Sequence, residues 1–197
     1  SKGEVLVASN NTASISQNYD TKGRTIASVV TANSYPTIPV TYTYDKNSNR
    51  ETLRSDILNL DYFYDQSNRL KQINSGNGDS FAFDFDNANR LTKISRPGSI
   101  TAITFNSGSI LSSITHSNSN GIIDQNIYSY DQRNIPIQKR TLAGNFDYSY
   151  DLSGQLTASN TPVANESFSY DDIGNRLTDQ SGSYTYSASK KIIEQDY

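Results

Sequence analysis

Apolar and polar positions alternate along this chain in short runs, and most runs close in the same way. Two aromatic positions flank one residue, and an acidic or amide side chain follows. The clearest are Tyr42-Thr43-Tyr44-Asp45, Tyr62-Phe63-Tyr64-Asp65, Phe83-Asp84-Phe85-Asp86, Tyr128-Ser129-Tyr130-Asp131, Tyr148-Ser149-Tyr150-Asp151 and Phe168-Ser169-Tyr170-Asp171. Tyr19-Asp20 and Phe105-Asn106 are weaker copies. The final aromatics fall at Tyr19, Tyr44, Tyr64, Phe85, Phe105, Tyr130, Tyr150 and Tyr170, spaced by 25, 20, 21, 20, 25, 20 and 20 residues. A fixed period in the twenties marks a repeat architecture.

Residues at i and i+2 share one face of a strand, whereas on a helix they diverge by about 200°. Tyr, Phe, Thr and Ile favour strands as well. After each aspartate comes a polar run with Gly, Asn or Ser, then Arg-Leu or its counterpart: Arg69-Leu70, Arg90-Leu91, Gln155-Leu156 and Arg176-Leu177. Asp and Asn bond to amides two residues on, and Gly or Asn accepts positive φ, so the polar run is a turn. Each repeat therefore predicts a β-hairpin of about 20 residues. Leu70/Ile73 and Leu91/Ile94 stand three apart, which breaks alternation; a bulge explains this, as does a sheet apolar on both faces. Single hairpins are unstable in water, so the repeats must zip laterally. The expectation is all-β: tandem hairpins in one long curved antiparallel sheet, as a spiral arc or a partly closed barrel. The array runs over 1–197 as a single domain, with 184–197 an atypical terminal segment.

Composition narrows the class. Hydrophobic residues make up 34% of the chain, low for a globular core, but the net charge is only −3 and there are 14 tyrosines. A half-solvated sheet accommodates that balance. Seventeen basic residues are dispersed against 20 acidic ones, with no stripe for phosphate, so no nucleic-acid partner is expected. No apolar run approaches the ~20 residues that cross a bilayer, and Val5-Leu6-Val7-Ala8 is too short for a secretory signal. The chain opens on Ser1 without a starting Met and so reads as a mature product or an excised piece. Cysteine is absent, which removes disulfides, thiolate metal sites and cysteine nucleophiles.

The two long intervals contain residues 31–39 and the run His116-Ser117-Asn118-Ser119-Asn120-Gly121. Insertions in repeat proteins map to loops, and both read as surface loops.

The spacing Tyr-x-Tyr-Asp-x-x-Gly-Asn-Arg-Leu, best kept at Phe168–Leu177, resembles the Rhs/YD-repeat family over roughly residues 15–186. That resemblance implies a β-sheet spiralling into a hollow shell. In toxin complexes and Rhs proteins such shells enclose a toxic C-terminal domain, and in teneurins they form an extracellular scaffold. It further implies a secreted or cell-surface protein whose partners are adjoining repeats or a C-terminal cargo domain of a larger parent. About 16 strands at ~4.8 Å give an edge of roughly 77 Å, too little to enclose a folded toxin alone. None of Pro36, Pro39, Pro97, Pro136 and Pro162 follows an aspartate, so the family's Asp-Pro self-cleavage is not carried over.

Chemistry is hard to find. His116, the only histidine, lies in a Ser/Asn-rich stretch and reads as an exposed loop residue. The run Asp84–Arg90 imitates a calcium loop but lacks its Gly and its final Glu. Asp84 and Asp86 sit at ~7 Å strand spacing, a glycosidase-like pair, and Asp171-Asp172 offers another carboxylate pair. Yet aspartate recurs in nearly every unit, as a turn residue should, and a catalytic acid occurs once. No catalytic, cofactor or metal residues are expected. The residues singled out are structural: Tyr19, Asp20, Tyr44, Asp45, Tyr64, Asp65, Phe85, Asp86, Tyr130, Asp131, Tyr150, Asp151, Tyr170 and Asp171, with Arg69, Leu70, Arg90, Leu91, Arg176 and Leu177. The leading function is a shell segment. The alternative is a glycan-binding or adhesion module whose Tyr rings stack on sugars beside Asn and Asp. Open sheet edges also predict self-association or barrel closure.

Overall fold

The computed structural model is all-β and describes residues 5–10, 12–32, 35–186 and 192–196. The chain forms two compact units, residues 1–100 and 101–197. The first holds β1 (Val5–Ser9), β2 (Ala13–Tyr19), β3 (Thr25–Ala32), β4 (Tyr35–Tyr44), β5 (Arg50–Ser55), β6 (Asn59–Tyr64), β7 (Leu70–Ser75), β8 (Ser80–Phe85) and β9 (Leu91–Arg96). β10 (Ser99–Phe105) starts at the boundary. The second continues with β11 (Leu111–Asn118), β12 (Gly121–Tyr130), β13 (Pro136–Thr141), β14 (Gly144–Tyr150), β15 (Leu156–Asn160) and β16 (Asn165–Ser167). Four more strands follow: β17 (Ser169–Tyr170), β18 (Arg176–Asp179), β19 (Gly182–Tyr186) and β20 (Ile192–Asp196). The order is the chain order throughout, β1 to β16 in one antiparallel sheet and β17 to β20 in a second. The tandem-hairpin sheet is therefore the fold. β1 and β16 are the edge strands of the first sheet.

A bulge, repeated in each unit, answers the three-residue spacing. In β6–β7, Phe63 faces Gln72 but Tyr64 faces Leu70, leaving Lys71 as an extra residue. Leu70 and Ile73 then share a face with Tyr64 and Tyr62. The same slip occurs at Thr92 between β8 and β9, at Glu51 between β4 and β5, and at Ile137 and Thr157 in the second unit. One extra residue restores the apolar side chains to one face and raises the local twist. Thus Tyr62, Tyr64, Leu70, Ile73, Phe81 and Phe83 form one face of β6–β8, and Asp61, Phe63, Gln72, Asn74 and Ala82 the other. Deleting Lys71 is expected to cost at least about 1.5 kcal/mol, because the Leu70 contact moves to the wrong face. Lys71→Ala, at an exposed position, should stay within about 0.5 kcal/mol. Urea denaturation of both variants checks this; equal effects would refute the role of the extra residue.

Among the described residues no hydrophobic side chain is buried, and only Thr101 and Ser159 are enclosed. The strands pair edge to edge within each sheet, so their apolar side chains stay partly exposed. Stability must come from lateral links, which makes the strand ends important.

The long intervals are corrected by the structure. They lengthen strands instead of forming loops: β4 and β12 each reach 10 residues, with Tyr35–Pro39 inside β4 and His116–Asn118 inside β11. Lengthening both partners keeps the added amides and carbonyls paired, which an inserted loop does not do. His116 is consequently a half-buried strand residue, its Nδ1 2.8 Å from Thr101 Oγ1, with Asp124 opposite across the ladder. Asn33 and Ser34 lie outside the described residues. The terminal segment 184–197 is partly described, and β19 pairs β20 with a slip between Thr185 and Tyr186, as in the other units.

Candidate functional site: the tyrosine–aspartate edge

Every repeat makes the same turn after its final aromatic. In Asp65–Arg69 the Asn68 N–H donates to the Asp65 carbonyl at 3.0 Å, and the Asp65 N–H donates to the Arg69 carbonyl at 2.9 Å. Asn68 takes φ 63°, so a type I turn is followed by one left-handed residue, the usual three-residue hairpin loop. That third position after the acid is left-handed in all eight turns: Gly23, Ser48, Asn68, Asn89, Ser109, Asn134, Gly154 and Gly174. The signal was present in the sequence as a constant Gly, Asn or Ser three residues on. Ser109 (φ 65°) holds this strained conformation without glycine's freedom. Ser109→Gly should therefore stabilise the protein by about 1 kcal/mol, seen as a higher urea midpoint.

The aspartate braces the turn from inside. Asp65 Oδ1 accepts from the amides of Ser67 and Arg69 at 2.9 Å, while Oδ2 receives Arg69 Nε at 2.7 Å and Nη2 at 2.6 Å. Asp20–Arg24 and Asp86–Arg90 repeat this fork. In Asp45 and Asp171 an asparagine supplies the side-chain bond, from Asn49 at 2.9 Å and Asn175 at 2.7 Å. The Asp131 turn has Ile135 at that position, so its guanidinium arrives from Arg133, two residues on, at 2.9 Å. Asp151 accepts from the Gln155 amide, and Asn106 does the same job with its amide oxygen toward Ile110.

These contacts hold the carboxyl groups of Asp20, Asp45, Asp65, Asp86, Asp131 and Asp171 below the ordinary aspartate value. The Arg69 side chain does most at Asp65; the backbone amide of Arg90 leads at Asp86, that of Arg24 at Asp20, and that of Ile135 at Asp131. The Asn49 side chain leads at Asp45. At Asp171 burial pulls upward, and the bonds from Asn175 and the turn amides outweigh it. Tyr64, Tyr130 and Tyr150 are raised, first by burial of the phenol.

Successive turns are tied into a ladder. Tyr44 Oη donates to the Thr25 carbonyl at 2.6 Å, Tyr64 Oη to the Arg50 carbonyl at 2.9 Å and Tyr130 Oη to the Leu111 carbonyl at 2.7 Å, each one repeat back. The first ring, Tyr19, bonds Gln17 Oε1 instead. The Arg24 guanidinium lies 4.5 Å from the Tyr44 ring centre and reaches Ser48 Oγ, and Arg69 lies 4.7 Å from the Phe85 ring and reaches Asn89 Oδ1. Leu70 and Leu91 stand opposite Tyr64 and Phe85.

The last repeat is shifted by one residue from the alignment drawn on Arg-Leu. Asn175 occupies the place of Arg69, Arg176 faces Tyr170, and Leu177 is the bulge residue, 37% exposed. Arg176 therefore acts as Arg50 does: it covers the ring two before the final aromatic, Phe168 at 5.0 Å, as Arg50 covers Tyr42 at 4.6 Å. One extra residue between the acid and the arginine, Asn175 after the left-handed Gly174, sets this frame. The acid pairs proposed as chemistry are separated in role: Asp84 approaches Lys93 at 3.8 Å, Asp86 is consumed by its turn, and Asp172 is exposed. Among the described residues no group of three or more His, Asp or Glu is placed to hold a metal ion, and no helix is long and apolar enough to cross a membrane.

The teneurin YD-shell family model matches residues 1–120, which contain five of these turns. The chain belongs to the teneurin YD-shell family. Among solved structures it is similar to a chain of a mutant Tc holotoxin pore from Photorhabdus luminescens, at 12% identity and a TM-score of 0.65. That match covers 90% of this chain and 11% of the other. It is similar also to a chain in the TcdB2-TccC3-Cdc42 crystal structure, at 13% identity and a TM-score of 0.61, covering 95% and 12%. At these identities the likeness shows the fold, and this YD-shell chain spans only about a ninth of either one. No curated protein matches it. Family and fold together make the chain a segment of a structural β-shell.

Proposed function

We propose that this YD-shell segment is wall and not catalyst: one continuous array over residues 1–197, part of a secreted or cell-surface shell that encloses or scaffolds a cargo domain of its parent protein. The observation that carries this reading is the use of the aspartates. Each of the seven turn aspartates is committed to its own turn, and the turns to one another, so the recurring acids serve as braces. The structural matches cover only about a ninth of far longer chains, which supports a wall made of more repeats than this segment holds. The test is limited proteolysis of the parent chain. A cargo domain that resists protease in the intact protein and is degraded when Tyr44→Ala and Tyr64→Ala open the wall fits the proposal; a cargo equally accessible in both refutes it. Free sheet edges also predict self-association of the isolated segment, and a concentration-independent monomer by sedimentation would remove that part.

A second reading, glycan binding, draws on a cleft of about 410 Å³ lined by Tyr170, Gly174, Arg176, Tyr184 and Tyr186. Tyrosine rings beside a guanidinium suit a sugar face with an acidic substituent. Absence of any hit on a glycan array at high micromolar protein would dispose of it.

A further inference from the structure

The repeats of the first unit can be compared ring by ring. Tyr44 is capped by Arg24, the residue four after the previous aspartate, and Phe85 is capped by Arg69, which stands in the same place. Tyr64 lies between them in the series, and the corresponding residue is Asn49. Asn49 reproduces the polar part of the arginine pattern: its Nδ2 donates to Asp45 Oδ2 at 2.9 Å and to Asn68 Oδ1 at 2.5 Å. It is too short to lay a cation over the next ring. Arg50 does not fill in, because its guanidinium is turned onto Tyr42. What remains is a cleft of about 250 Å³ whose lining includes Asp45, Asn47, Glu51, Tyr64, Asp65 and Asn68. No basic side chain lines it.

We propose that this cleft is a vacant guanidinium slot that takes an arginine side chain from another polypeptide segment. The chain itself shows what its neighbouring rings carry. A guanidinium over Tyr64 gains the ring face and the Asp45 carboxylate, which accepts one side-chain bond here where Asp20 accepts two; Asn68 Oδ1 is already filled by Asn47 and Asn49. Glu51, the exposed bulge residue, adds a second negative charge at the rim beside Asp45, since Asp65 is already paired with Arg69. A planar, delocalised cation sheds water more easily than an ammonium, so arginine is preferred to lysine. The slot goes beyond the wall reading and stands without it: a cargo equally accessible in both forms refutes the wall and leaves the slot to its own titration, and failure of the slot leaves the wall intact.

The test is an NMR titration of the whole chain with N-acetyl-argininamide, with the neutral isostere N-acetyl-citrullinamide as control. The arginine derivative should give saturable shifts centred on Tyr64, Asn68 and Glu51 at millimolar concentration, and the citrulline derivative none. Asn49→Arg supplies the missing guanidinium from within and should weaken binding by about tenfold or more. Glu51→Lys, at an exposed position that leaves the turn bonds intact, should weaken it by a similar factor. Equal shifts from both ligands, shifts centred elsewhere, or unchanged affinity in both variants would overturn the proposal.

Discussion

Tyr44→Ala lowers the unfolding free energy by about 3 kcal/mol, and Tyr44→Phe by about 1 kcal/mol. The difference follows from what the side chain does. Its hydroxyl donates to the Thr25 carbonyl one repeat back, a bond worth about 1 kcal/mol net. The ring is half-buried on the apolar face and is capped by Arg24 at 4.5 Å, a contact worth roughly 0.5–1 kcal/mol at a partly exposed site. Alanine removes all of these and leaves Arg24 without its ring. Phenylalanine keeps the ring and the cation contact. With no buried hydrophobic core among the described residues, no other part of the sheet compensates. Urea denaturation followed by tyrosine fluorescence reads both values. A Tyr44→Ala effect no larger than that of Tyr44→Phe would show that the ring ladder does not hold the repeats together.

Acid is expected to dissolve the array before base does. Asp20, Asp45, Asp65, Asp86, Asp131 and Asp171 all titrate below their ordinary value in the folded protein. A carboxyl group with a depressed folded pKa binds fewer protons folded than unfolded. Its contribution is fully present above the unfolded value, about 4, and is lost as pH falls through the lower folded value. Stability should therefore be flat from neutrality to about pH 5 and then fall steeply toward pH 2, with six groups acting together. Salt shortens this fall, because the pairs keep about a fifth to a quarter of the carboxylate surface in solvent. Asp65→Asn tests the assignment: it lowers stability at pH 7, since an amide cannot accept the Arg69 fork, and it makes the acid slope shallower by one group. Asn106 shows that an amide can still brace the turn backbone, so the variant should fold. A urea midpoint that does not change between pH 5 and pH 2.5 would mean that these carboxylates are not differentially protonated.

Much of this was legible in the residues, and the reasons are local. Aromatics at i and i+2 can share a face only on a strand, and an aspartate followed by Gly, Asn or Ser at the third position has few options besides a tight turn. Hence the hairpins, their period and the acid's structural role could be read directly. The bulge was legible only as an alternative, because Leu70 and Ile73 three apart fit either an extra residue or two apolar faces. Their partners decide it, and those are set by pairing across strands. The frame of the last repeat shows the converse. Arg176-Leu177 looks like Arg69-Leu70, yet distance from the aspartate, and not the dipeptide, determines which side chain meets Tyr170.

The long intervals and His116 mark the boundary of sequence reasoning. Five added residues near Tyr35 or Asn118 have loop-like composition, but both strands of each hairpin lengthen together so that their backbone groups remain paired, and this places His116 against Thr101. Composition cannot report that, since pairing belongs to two segments at once. The same holds for the slot over Tyr64. Asn49 in place of arginine is visible in the chain, but only the lateral stacking of turns shows that the missing guanidinium belonged over the ring of the next repeat. Residue order alone determined the strands, the turns and the family; tertiary structure decided register, faces and what lies across each rung, because those depend on contacts between repeats about 20 residues apart.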